Sequence, residues 1–116
     1  MANPTSEASG TQSATVTTEH TLRDVTGAGT YQLIVDLGAM LAGDVTELRV
    51  YEAVLTGGTL RLVAFQMFAG AQEADKLEAH SAWFPNLNVD AASLRFTLKQ
   101  TFGTSRSYPW EVRKYS

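Results

Sequence analysis

The feature that most constrains this chain is a period-two alternation of apolar and polar residues, recurring in run after run with no segment of helical period. Alternation of that kind sends successive side chains to opposite faces of a strand. Its longest expression is Asp44 to Gly70, DVTELRVYEAVLTGGTLRLVAFQMFAG, which predicts two strands joined at Gly57-Gly58. Both glycines tolerate positive φ, as a two-residue hairpin turn requires. With that turn, Thr56 faces Thr59 and the cross-strand partners follow by counting outwards. One face carries Leu48 with Met67, Val50 with Phe65, Glu52 with Val63 and Val54 with Arg61. The other carries Leu55 with Leu60, Ala53 with Leu62, Tyr51 with Ala64, Arg49 with Gln66 and Glu47 with Phe68. The first face is apolar near the base, as a core-facing surface should be. The second is apolar near the tip, where a one-sided hairpin should be polar. Tyr51, Ala53, Leu55, Leu60 and Leu62 are therefore candidate interface residues. The competing expectation is that the hairpin lies between two layers of its own fold.

The same reading extends along the chain. Residues 1–12 are almost wholly small and polar and predict a flexible arm, either frayed or ordered by a neighbouring chain; residues 13–116 form a single β domain. Ala14 to Leu22 reads as a Thr-rich edge strand, and Asp24 to Gly29 as a turn. Tyr31 to Leu37 is a strand, followed at 38–43 by a loop or single helical turn that plugs one end of the core with Met40 and Leu41. Ala71 to Leu77 is a charged loop. Glu78 to Phe84 reads as a strand ended by Pro85, and Asn86 to Asp90 as a turn. Ser93 to Thr101 alternates most cleanly, with Leu94, Phe96 and Leu98 inward, and Tyr108 to Tyr115 is the last strand. About seven strands separated by turn signals predict an all-β, antiparallel sandwich, jelly-roll-like fold or small barrel. The expected core is Tyr31, Leu33, Val35, Leu48, Val50, Phe65, Met67, Leu94, Phe96 and Leu98.

Composition narrows the function classes. At 116 residues one core can form without metals or disulfides, and cysteine is absent. Net charge is −3, and the basic residues do not cluster, so phosphate-driven binding of nucleic acid is not expected. No apolar run approaches the ~20 residues of a membrane span, and the first residues do not read as a signal peptide.

Chemical motifs are sparse. His20 and His80 stand outside any ligand-spaced pattern, which predicts no metal site and no cofactor. Asp36, Asp44 and Asp90 sit beside turns, where Asp closes the local backbone. The loop Gly103 to Ser107 has the small residues and arginine of an anion site without the following helix of a phosphate loop. Trp83, Phe84, Tyr108 and Trp110 are either a sugar-binding platform or core and interface aromatics. The serines have no identifiable His and acid partners, so an enzyme is not expected.

The runs GTYQLIVDL (29–37), GDVTELRVY (43–51) and FTLKQTFGTSRSYPWEV (96–112) resemble small β-proteins of tailed bacteriophages. That resemblance spans roughly Gly29 to Val112 and implies a non-enzymatic virion component, with head decoration (cement) proteins as one class. It implies docking on the major capsid protein or another virion protein, assembly as a homo-oligomer, synthesis in the host cytoplasm and residence in the virion. A tail or tail-tip component and a carbohydrate-binding sandwich are the alternatives.

Overall fold

The computed structural model describes residues 4–55, 58–74, 77–86 and 93–115. Among these residues nine strands follow one another: β1 (Thr5–Ser13), β2 (Glu19–Val25), β3 (Gly29–Asp36), β4 (Val45–Glu52), β5 (Arg61–Ala69), β6 (Glu78–His80), β7 (Phe84–Asn86), β8 (Leu94–Phe102) and β9 (Ser107–Tyr115). They make two antiparallel sheets packed as a β-sandwich. The first runs β1-β9-β3-β6, with β7 also on β3, and the second runs β2-β8-β4-β5.

The order has a simple origin. The connection between β4 and β5 is the apex of a nested hairpin formed by the described strands. Outward from it β4 pairs with β5, β3 with β6 and β7, β2 with β8, and β1 with β9. This nested hairpin is then rolled, so that β9 also pairs with β3 and β8 with β4. A rolled hairpin of this kind is the jelly-roll topology. The β4–β5 hairpin read from the sequence is thus the innermost of the nested strand pairs.

The inward residues of the central strands form the core. Tyr31, Leu33 and Val35 of β3, Leu94, Phe96 and Leu98 of β8, and Tyr108 and Val112 of β9 are fully buried, with Leu48 and Val50 of β4 nearly so. Phe84 packs on this cluster, its ring 6.5 Å from that of Phe96 in an edge-to-face arrangement. Met40 closes one end; its neighbour Leu41 points outward and is exposed.

Phe65 and Met67 are the exceptions to the expected core, at 48% and 60% exposed. The cause is register. Leu48 pairs with Gln66 and Val50 with Ala64, one residue away from the pairing of a two-residue turn. The β4–β5 connection is longer than that, because the Ala53 amide leaves the hairpin to donate to Ser93 O at 2.9 Å. The turn closes instead through Gly58 N donating to Leu55 O at 2.9 Å; Gly57 and Thr56 lie outside the described residues. A bulge then places Tyr51 opposite Leu62 and leaves Val63 as the extra residue. A slip of one residue turns the side chains from Ala64 to Ala69 to the other face, and the bulge returns Leu62 to the face of Tyr51.

Three other readings change. The expected arm at 1–12 holds all of β1 but Ser13, and β1 pairs with β9; residues 1–3 lie outside the described residues. The side chains of β1 are mostly exposed, so backbone pairing with an open strand edge holds it rather than apolar burial. The strand expected at 14–22 begins at Glu19, with residues 14–18 as the connection. The strand expected at 78–84 is split by residues 81–83, where Ser81 exchanges hydrogen bonds with the Leu33 backbone at 2.9 Å each way. Pro85 sits within β7, and the expected turn at 87–90, with Asp90, lies outside the described residues.

Candidate interaction surface

Two clusters of charged residues knit the described elements together. The first ties the loops at one end of the sandwich. The Asp44 side chain is 1% exposed and accepts from Arg106 Nε at 2.8 Å, Leu41 N at 2.9 Å and Thr104 N at 3.1 Å. Those backbone amides, Leu41 first, and the Arg106 guanidinium hold the carboxyl below its usual range against the opposing effect of burial. Arg106, the one cation of the loop read as a possible anion site, is therefore engaged by the protein itself. Alongside, the Tyr108 hydroxyl meets Thr46 Oγ1 at 2.8 Å and donates to Gln100 Oε1 at 3.1 Å.

The second cluster covers the outward face of the second sheet. Glu19 accepts from the Tyr51 hydroxyl at 2.6 Å and Thr97 Oγ1 at 2.7 Å, and Arg49 approaches it at 3.5 Å. Burial raises the Glu19 pKa, but these donors and the Arg49 charge outweigh it and the net shift is downward. Arg49 also pairs with Glu47 at 2.7 Å and lies over the Phe65 ring, 5.5 Å from its centroid. Arg95 pairs with Asp24 at 2.6 Å. This face is charged but internally neutralised towards β2, and it becomes apolar towards β5.

The sequence-predicted interface residues separate on this frame. Tyr51 is half-buried on the outward face, opposite Leu62, which is 50% exposed. Leu60 is half-buried and shares a recess with Glu19, Tyr51 and Arg95. Leu55 stands at the apex, 73% exposed. Ala53 does not belong with them: it is 5% exposed, drawn inward by its bond to Ser93. Val54, Val63, Phe65 and Met67 are exposed residues that sequence reasoning assigned to the core-facing side. No sequence signal distinguishes the two faces of β5, because Leu62, Ala64 and Phe68 on one side are matched by Val63, Phe65 and Met67 on the other. The apolar surface accordingly runs from Val54 and Leu55 at the apex along β5.

The aromatics do not form a common platform. Tyr108 is fully buried, Trp110 packs against the core, and Trp83 lies on Tyr115 with centroids 4.4 Å apart. His20 accepts a hydrogen bond from Thr15 N, and His80 meets Glu78 at 3.1 Å. Among the described residues no three His, Asp or Glu side chains are grouped as a metal site would need, and no helix is long and apolar enough to cross a membrane.

No family model, no curated protein and no solved structure matches the chain.

Proposed function

We propose that this protein is a non-enzymatic structural subunit of a tailed-bacteriophage particle, a head decoration protein that docks on the capsid lattice through the apex of its nested hairpin. The observation that carries this reading is the exposure of two adjacent apolar side chains at that apex, Val54 at 90% and Leu55 at 73%. Covering a side chain of this size contributes about 1.5–3 kcal/mol, so a small apolar tip gives a usable contact. A lattice presents many equivalent sites, and a multivalent subunit multiplies that contact through effective concentration. The resemblance of residues 29–37, 43–51 and 96–112 to small phage β-proteins supports the same reading. So, by architectural analogy, does the jelly-roll topology, which viral capsid domains and lectins both use. The partner is the major capsid protein or another virion protein, with no cofactor, nucleic acid or membrane involved.

A quantitative mass-spectrometric inventory of purified particles from the phage that encodes the chain tests the assignment. Recovery with the heads, in constant ratio to the major capsid protein, is the expected result. Recovery only with tails would move the protein to the tail, and absence from particles would overturn the reading.

A further inference from the structure

A sandwich of two open sheets leaves four edges whose outer backbone groups lack a ladder partner, and edges are normally blunted by charge, proline, bulges or shortness. Three of the four edges here are blunted. β1 has a bulge between Ser6 and Ala8, and its Glu7 is held by Arg23 of β2 at 2.7 Å. β2 has a bulge between Thr21 and Arg23 and carries Glu19, Arg23 and Asp24. The far edge of the first sheet is broken into β6 and β7, of three residues each, with Pro85 in the second. Among the described residues β5 has no such protection along its regular part. From Ala64 to Ala69 its pairing with β4 is continuous, and the segment 62–69 contains no charge, proline or glycine. Phe65 and Met67 point outward from it. Behind it a cleft of about 170 Å³ opens between the sheets, lined by Leu33, Leu48, Ala64, Gln66 and Ser81, so this edge is also an unsealed side of the core.

We propose that β5 pairs with β5 of a second copy of this chain, antiparallel about a twofold axis normal to the sheet, joining two four-stranded sheets into one of eight. A twofold contact requires a strand that complements itself, because the same patch meets its own copy. β5 meets that condition. Centred on Phe65, the pairing sets Phe65 against Phe65 and, at the bulge, Val63 against Met67 on the outward face. The single charge of the strand, Arg61, then falls at the far end opposite Ala69, so no like charges meet. The next strand in brings no conflict either, since Glu47 and Arg49 neutralise each other at 2.7 Å. Backbone bonds along the ladder supply affinity, and the apolar pairs fix the register. The inference does not rest on the particle reading.

Sedimentation equilibrium of the full-length chain tests it. The wild type should be dimeric at roughly 100 µM, two decades above a micromolar Kd. Phe65→Lys and Phe65→Glu each place like charges face to face, so each should be a folded monomer by circular dichroism. A one-to-one mixture of the two should restore the dimer. The double variant Val63→Lys, Met67→Lys sets lysine against lysine at both flanking pairs and carries the same monomeric expectation should a Phe65 variant fail to fold. A monomeric wild type, a charge variant that dimerises as the wild type does, or a mixture of folded variants that stays monomeric would each overturn the pairing.

Discussion

The Asp44 carboxylate and the Arg106 guanidinium meet at 2.8 Å with the carboxylate almost wholly withdrawn from water. The contact joins the loop before β4 to the loop between β8 and β9, two segments far apart in sequence. With the Leu41 and Thr104 amides it completes the carboxylate's acceptors, so the buried charge is compensated.

Asp44→Asn should therefore destabilise the fold by about 1.5–3 kcal/mol, the range for losing a hydrogen bond to a charged group, since Arg106 keeps some access to water. The effect has a sign in pH. The Asp44 carboxyl is lowered in the folded state, so its contribution is complete above the ordinary value near 3.9 and is lost as pH falls through the lowered one. Denaturant titrations at neutral pH and below about pH 4 should show the gap between wild type and variant narrowing in acid.

Gly103 lies beside that carboxylate. Its φ is +93°, and a Cβ there would collide with the Asp44 side chain and Cα. Gly43 has a similar φ of +90° but open space where a Cβ would stand. Gly43→Ala should cost only the backbone strain, about 1–2 kcal/mol, and Gly103→Ala clearly more, since strain and collision combine. Thermal unfolding of the two variants side by side measures the difference.

The register of β5 makes a sharp contrast between two phenylalanines. Phe96 is fully buried, and Phe96→Ala should cost about 3–5 kcal/mol. Phe65→Ala, measured at a concentration too low for association, should cost less than about 1 kcal/mol, as surface substitutions do. Equal losses in urea titration would place Phe65 inside after all.

These residues also mark what the sequence made legible. β3 and β8 have one apolar and one polar face, so their inward residues could be assigned by counting, and all of those named are buried. β5 offers two almost equally apolar faces, and only the length of the connection at 53–60 decides between them. That length depends on a hydrogen bond to Ser93, a residue remote in sequence. β1 has no apolar face to read, because its place is set by backbone pairing with β9. Thr46 and Gln100 are fully buried yet polar, and look like surface residues until Tyr108 and the loop carbonyls that satisfy them are known.

β1 should accordingly contribute to stability. A Cβ on Gly10 would stand 3.5 Å from the Trp110 ring, so β1 lies directly over that indole. Deleting residues 1–10 should lower the thermal midpoint by at least about 4 °C, the shift given by roughly 1 kcal/mol in a domain near this size. Tryptophan emission should move to longer wavelength as Trp110 meets water. An unchanged midpoint and spectrum would mean that β1 adds nothing to the folded domain.

The central claim is association through the apolar apex, and a co-sedimentation titration on capsids lacking this chain tests it most directly. The full-length protein should bind saturably. The double variant Val54→Lys, Leu55→Lys should remain folded, because both side chains already stand in solvent, and should bind at least about 100-fold more weakly, a loss of roughly 2.7 kcal/mol. Equal binding by the two proteins, or no binding by the wild type, would contradict the account.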